Sequence, residues 1–162
     1  MEKLDQNSLN TALWAAADEM RKTMSADVYK NFLLPLVFYK NLSDRMLYEA
    51  ADLLEEKPSN LAEAQKIYED ASKGEDWNLL QNELMLRFGT VLSPNFTFTS
   101  FYNQVNNQTF LLSNLAQAFR DLEQSQGEHY EGLFGDFEID SKDLGKVPAK
   151  RNELISAVIT AL

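Results

Sequence analysis

The side chains best suited to acid–base or metal chemistry are sparse in this sequence. His129 is its single histidine, and there is no cysteine. A zinc site usually needs several His or Cys ligands, and the paired Glu-x-x-His pattern of di-iron helical bundles needs two histidines. His129 lies in a glycine-rich stretch, which suits a surface or loop-packing role better than that of a metal ligand or catalytic base. Acidic pairs such as Asp18-Glu19 are typical of solvated helix faces and caps.

Two short motifs approach nucleotide-binding signatures without completing them. Gly127 and Gly132 have the spacing of the first two P-loop glycines, but Leu133-Phe134 follows where a lysine and a hydroxyl residue must contact phosphate and magnesium. The stretch 93–96, Ser-Pro-Asn-Phe, resembles the signature that holds a flipped base in amino-methyltransferases, except that Asn95 replaces the second proline. No Gly-x-Gly-x-x-Gly motif follows a strand. We interpret 93–96 as a turn between helices.

Charge gives a weak indication of an interaction surface. The chain has 15 basic and 25 acidic residues and a net charge of −10, which opposes non-specific binding to a phosphate backbone. Binding to DNA would therefore need a local basic patch or a partner. Basic residues on a surface usually serve as solvating charges. We nevertheless consider two groups of them as candidate contacts to DNA or a partner protein: Arg21 and Lys22, and Lys146, Lys150 and Arg151.

The stretch 25–46 is predicted to be the central helix that positions the other elements. Its apolar residues recur with the period of one helix face: Val28, Phe32, Leu36, Tyr39, Leu42 and Met46. Ser25 is a candidate N-cap. Because 32–39 is apolar all round, we expect burial on every side, including Leu33 and Phe38. A buried strand is the alternative, but Pro35 would lack a ladder donor there; in a helix it is expected to bend the axis.

The other apolar patterns predict an all-α fold, an irregular helical bundle around this buried, Pro-kinked helix, with little or no sheet. Residues 1–162 are expected to form a single domain. We expect a connection at 90–99 and an ordered linker at 126–146. The first predicted helix is capped by Ser8, and the central helix reaches Lys57-Pro58. A third helix runs from Asn60 to Gly74, and a fourth at 76–88 is capped by Asp76 and stopped by Gly89. The remaining helices are predicted at 99–106, at 108–125 and from Pro148.

Two further expectations concern location and extent. The absence of cysteine fits a reducing compartment, and the first residues show no basic region followed by an apolar run. We therefore expect a cytoplasmic protein with no membrane association. The last helix lacks a stop signal and ends on Leu162 in the middle of its apolar pattern. We expect the natural polypeptide to continue beyond that residue.

The first two predicted helices resemble the start of the modification (methyltransferase) subunit of type I restriction-modification systems. The family has a Leu-Trp-x-x-Ala-Asp-x-Leu/Met-Arg helix followed by a Tyr-Lys…Leu…Phe…Lys…Ser-Asp-Arg helix. The matching stretches here are Leu13 to Arg21 and Tyr29 to Arg45, and Leu144-Gly145 and Arg151-Asn152 add a similar tail. The family's cofactor glycine motif and its Asn-Pro-Pro-Phe motif, which belong downstream, do not occur here.

This resemblance implies a helical N-terminal domain of a subunit that methylates adenine N6 of DNA with S-adenosylmethionine. Two such subunits would act with one specificity subunit on double-stranded DNA, and a restriction subunit would join them for cleavage. The domain would serve subunit assembly and DNA clamping, would bind no cofactor by itself, and would contain no catalytic, cofactor-binding or metal-binding residue. The alternative is a free-standing helical protein-interaction module without enzymatic activity.

Overall fold

A computed structural model describes residues 6–125, 130, 132, 134 and 137–162. Within those ranges the regular structure consists of helices, without a strand, as the apolar periodicity predicted. None of these helices is long and apolar enough to cross a membrane. In chain order they are α1 (Gln6–Arg21), α2 (Ala26–Leu53), α3 (Leu61–Ala71), α4 (Trp77–Phe88), a 3₁₀ turn (Pro94–Phe96), α5 (Phe98–Asn106), α6 (Leu112–Glu123) and α7 (Pro148–Ala161).

Helix α2 is the element around which the bundle is assembled. It contacts α1, α3, α4 and α5, while α1 and α5 also pack on α7. Pro35 lies inside α2 and is buried, and the helix continues through it to Leu53. Leu36, Tyr39 and Met46 are almost completely buried. The predicted central helix is therefore confirmed, whereas the bend at Pro35 stays a prediction.

The expectation that α2 is enclosed on every side is wrong. Leu33 is buried, but Leu34 is 63% exposed and Phe38 is 37% exposed. Leu34 and Phe38 belong to a solvent-facing stripe of α2 with helical spacing. The other members of this stripe are polar, namely Asn31, Asn41 and Arg45. Neighbouring elements cover the rest of the helix circumference, so its apolar composition overstated its burial.

Of the predicted helix starts, Asn60 makes a side-chain capping bond, Ser25 and Asp76 hold the N-cap position without one, and Ser8 is misplaced. The Asn60 side chain accepts a hydrogen bond from the Glu63 N–H at 2.9 Å. Ser25 and Asp76 occupy N-cap positions, but neither side chain makes a capping bond. Ser8 lies inside α1, which begins at Gln6. Polar residues near a helix start are common, so residue type alone does not identify the cap.

Two predicted helix boundaries are displaced by turns of the backbone. Helix α2 ends at Leu53 rather than at Lys57-Pro58, and α6 begins at Leu112 rather than at 108. Glu55 and Gln108 follow α2 and α5 with φ of 60° and 59°, the left-handed conformation. At Glu55 the two bonds of a Schellman motif form, from Glu55 N–H to the Asp52 carbonyl and from Glu56 N–H to the Ala51 carbonyl. Gly89, with φ of 73°, ends α4 as predicted.

Glu55→Gly is expected to raise the free energy of unfolding by up to about 1 kcal/mol, because a side chain in the left-handed region is strained and glycine is not. Urea denaturation of both proteins measures the difference. Glu56→Gly is the control, since Glu56 is equally exposed but has no positive φ. An equal change in both variants would contradict strain at Glu55.

The predicted linker at 126–146 is ordered in the part that the structure describes. Tyr130, Phe134, Phe137 and Leu144 are buried against the core. Phe134 stacks on Phe119 of α6 with a centroid distance of 4.3 Å. The linker predictions for Gly127, Leu133 and Gly135, and that for His129, lie outside the described residues.

Candidate functional site

Two buried tyrosines hold the chain between α4 and α5. The Tyr68 hydroxyl donates to the Leu92 carbonyl, and the Tyr39 hydroxyl donates to the Phe96 carbonyl, each at 2.6 Å. Burial raises the pKa of both tyrosines, and the nearby Asp121 carboxylate adds to the increase at Tyr39. Both hydroxyls therefore stay protonated and act as hydrogen-bond donors to the backbone.

Gln65 of α3 is the polar centre of this connection. Its amide nitrogen donates to the Pro94 carbonyl at 2.8 Å and to Glu69 at 2.9 Å, and its amide oxygen accepts the Thr97 hydroxyl at 2.5 Å. Gln65 and Thr97 are both almost completely buried. The interpretation of 93–96 as a turn is confirmed, and the bonds to the turn show that this polar cluster stabilises it.

A further polar pair lies under the start of α5. Lys40 Nζ is 2.5 Å from Asp44 Oδ2 and 5.5 Å from the centroid of the Phe98 ring. Burial raises the pKa of the Asp44 carboxyl, and the charge and hydrogen bond of Lys40 partly offset that increase. Ser43 accepts the Phe98 N–H at 2.8 Å. These groups fix α5 to α2.

A cleft of about 500 Å³ lies between α4, the 90–96 connection and α6. Its volume falls in the range of about 300–1,000 Å³ that is usual for ligand pockets. Side chains from all three elements and from α2 line it, including Tyr39, Gln81, Met85, Phe96, Asp121 and Ser125. This cleft could not be predicted from the sequence, because its walls come from segments that are distant along the chain.

The first predicted basic group, at the end of α1, is neutralised by neighbouring carboxylates. Arg21 is 2.7 Å from Asp18, and its guanidinium lies 5.1 Å from the centroid of the Trp14 ring. Lys22 is 3.1 Å from Glu19. All these pairs lie on the surface, where ion pairs contribute little to stability.

The second predicted basic group divides into exposed and buried members. Lys146 and Lys150 are exposed, and Lys150 Nζ is 3.6 Å from Glu153. The side chain of Arg151 is only 15% exposed, and its Nε donates to the Gly145 carbonyl at 3.0 Å. Arg151 therefore stabilises the turn before α7, while Lys146 and Lys150 remain available to a partner.

A metal centre finds no support in the part of the chain that the structure describes, where no group of three or more His, Cys, Asp or Glu side chains converges. The polar interior instead binds backbone groups, and the cleft is a concave feature of the described residues with polar side chains in its lining.

Comparison with known proteins identifies the family. The sequence profile described as HsdM N-terminal domain matches residues 9–162. The chain belongs to the HsdM N-terminal domain family. The resemblance carried by the Leu13–Arg21 and Tyr29–Arg45 stretches is thereby confirmed, and this HsdM N-terminal domain corresponds to that of a type I restriction-modification methylase subunit.

Two relatives show how the HsdM domain relates to longer chains. It is 41% identical to the type I restriction-modification methyltransferase subunit of Streptococcus thermophilus and superposes on its crystal structure with a TM-score of 0.90, covering 96% of this chain and 33% of that one. It is 23% identical to the type I restriction enzyme MpnII methylase subunit of Mycoplasma pneumoniae over 97% of this chain and 30% of that protein. The domain thus spans about a third of each relative.

Proposed function

We propose that this chain is the N-terminal domain of a type I restriction-modification methyltransferase subunit that methylates adenine N6 of DNA, and that it serves subunit assembly and DNA clamping rather than catalysis. The observation that carries the proposal is the match at 41% identity and a TM-score of 0.90 to a third of a methyltransferase subunit. The catalytic domain would lie downstream of Leu162, and the complete enzyme would work in the cytoplasm.

The hydrogen bonds of the buried polar side chains support a role without catalysis. Tyr39, Tyr68, Gln65 and Ser43 are spent on hydrogen bonds that hold the backbone between α4 and α5. Groups committed in this way are not available to abstract a proton or attack a substrate. Their arrangement suits a rigid domain that presents surfaces to other subunits.

Gly145, which precedes α7, does not suit a cradle for S-adenosylmethionine, the methyl donor proposed for the complete subunit. A cradle requires glycines that let a ligand approach the backbone. At Gly145 the adjoining space is filled, because an added Cβ would lie 2.9 Å from the Cβ of Lys150. We therefore assign the cofactor to the downstream part and derive no reaction step in this domain.

The proposed partners are a specificity subunit, a second modification subunit, a restriction subunit and double-stranded DNA. Among the five candidate cations, Lys146 and Lys150 best suit contact with phosphate because both are exposed at the start of α7. Arg21 and Lys22 are paired with carboxylates at 2.7 and 3.1 Å, whereas Lys150 is farther from its carboxylate partner Glu153, at 3.6 Å. Arg151 is largely buried. We propose that the two lysines form the DNA-facing part of the domain.

Changing both lysines to glutamate, Lys146→Glu with Lys150→Glu, is expected to weaken DNA binding by the assembled enzyme. If each lysine contacts one phosphate, the slope of log K against log salt should become less steep by about 1.8. Fluorescence anisotropy with a DNA duplex at several salt concentrations measures the slope.

The matched control carries the same charge changes on α3 and in the turn after it, Lys66→Glu with Lys73→Glu, since both lysines are exposed there. The control should keep the slope of the unchanged enzyme. If the α7 variant keeps it as well, these lysines do not contact DNA.

A further inference from the structure

Among the described side chains, the cleft between α4 and α6 is lined by one charged group, and it is negative. Asp121 is the charged residue among the described side chains that line it, and the others are apolar, hydroxyl or amide groups. The Asp121 carboxylate accepts a hydrogen bond from the Gln117 amide at 2.7 Å. It also acts on the Tyr39 hydroxyl inside the cleft, since its charge raises the pKa of Tyr39. The cleft therefore favours a cationic group over an anionic one.

Helix α4, which forms one wall of the cleft, also exposes apolar side chains. Helix α4 buries Leu80 and Leu84 in the core, while Leu79 is 66% exposed and Leu86 is 81% exposed on its other side. Met85 is also exposed and belongs to the lining of the cleft. Leu86 directly follows the cleft-lining Met85 in the chain. Amphipathic segments bind to exposed apolar helix faces of this kind.

We propose that this cleft binds a lysine or arginine side chain of another subunit, carried on an amphipathic segment whose apolar residues cover Met85 and Leu86. Charge complementarity carries the choice of occupant: Asp121 supplies the anion, and the described lining contains no cation to oppose an incoming one. DNA would bring phosphate to an acidic cleft in a chain with a net charge of −10, which is repulsive.

The inference rests on the proposed function in one respect, because the partner is taken to be another subunit of the assembled enzyme. The contact would be an interface with an apolar centre and one charged anchor. Such anchors contribute mainly specificity and orientation, while the apolar contacts exclude water around them.

Photo-crosslinking in the reconstituted enzyme tests the proposal. A benzoylphenylalanine in place of Leu86 should crosslink to one segment of another subunit, and mass spectrometry of the linked peptide should find a lysine or arginine beside apolar residues. The same probe in place of Lys73, which is exposed in the turn after α3, is the control and should not label that segment. No crosslink from position 86, or a crosslink to DNA, to a segment without a basic residue or to the same domain of a second copy, would overturn the proposal.

Charge variants separate the anchor from the apolar surface. Asp121→Lys should lower the crosslinking yield from position 86 by about tenfold, and Asp121→Asn, which can still accept the bond from Gln117, should lower it less. Asp70→Lys makes the same charge change on the exposed surface of α3 and should leave the yield unchanged. An unchanged yield with Asp121→Lys would contradict the cationic anchor. Methyl transfer by the unlabelled enzyme tests the proposed function separately, because a failed crosslink in an active enzyme overturns only the cleft proposal.

Discussion

Replacing Phe119 with alanine is expected to lower the free energy of unfolding by about 3–5 kcal/mol, the cost of removing a large core side chain. Phe119 is 3% exposed. Its ring stacks on Phe134 at 4.3 Å and meets the edges of Tyr39 at 5.2 Å and Phe137 at 4.9 Å. One substitution thus removes the contact that joins α2, α6 and the segment before α7.

Phe38→Ala is the matched control for this prediction. Phe38 approaches two residues of the same cluster, Tyr130 and Phe134, with centroid distances of 6.2 and 6.1 Å, but it is partly exposed. Its loss should cost about 1 kcal/mol, because much of its ring is already in water and no closed cavity forms. Urea denaturation followed by tryptophan fluorescence gives both values. Equal costs would mean that α6 does not form the centre of the aromatic cluster.

The second large effect is expected at Gln65. Gln65→Ala should lower the free energy of unfolding by about 2–4 kcal/mol, because buried partners without a hydrogen bond bear their full desolvation cost. The variant would leave the Pro94 carbonyl and the Thr97 hydroxyl without the amide that now binds both. Thermal unfolding monitored by circular dichroism should show the loss as a lower melting temperature.

Gln104→Ala provides the comparison, since Gln104 is also a glutamine that binds the connection before α5. Its amide donates to the Asn95 carbonyl at 3.0 Å, but on the exposed side, where water can replace it. The cost there should remain below about 1 kcal/mol. If Gln104→Ala destabilises the domain as much as Gln65→Ala, burial does not govern the strength of this cluster.

Much of the fold could be predicted because it depends on local patterns. The periodic apolar residues of α2 and α6, the Asn60 cap and the Gly89 stop identify their helices without tertiary information. The burial predicted for Phe38 was wrong because an apolar stretch does not show how much of the helix surface its neighbours will cover. The spacing of Asn31, Asn41 and Arg45 marks the exposed stripe.

The end of α2 could not be predicted from residue type, whereas that of α5, at Asn106, agrees with the prediction. Both helices are followed by a residue in the left-handed conformation, but Glu55 and Gln108 stand where glycine is the usual signal. In each case the hydrogen bonds of the turn and the packing of the preceding helix determine the conformation.

The cleft lay beyond sequence reasoning for a different reason. Tyr39, Met85, Phe96 and Asp121 are brought together by the packing of four elements and share no spacing along the chain. The basic residues, in contrast, could be picked out in the sequence, but the sequence does not show which of their side chains are exposed. Only the structure shows that Arg151 binds the Gly145 carbonyl while Lys150 stays exposed.

The most direct test of a scaffolding, non-catalytic role is the single-turnover rate of methyl transfer by the assembled enzyme with the Lys146→Glu and Lys150→Glu changes, measured at saturating DNA and methyl donor. We predict a rate within about twofold of the unchanged enzyme together with a raised Kd for DNA, because the domain contributes binding and leaves the chemical step intact. A rate lowered by about a hundredfold at an unchanged Kd would place the domain in the reaction itself and contradict this account.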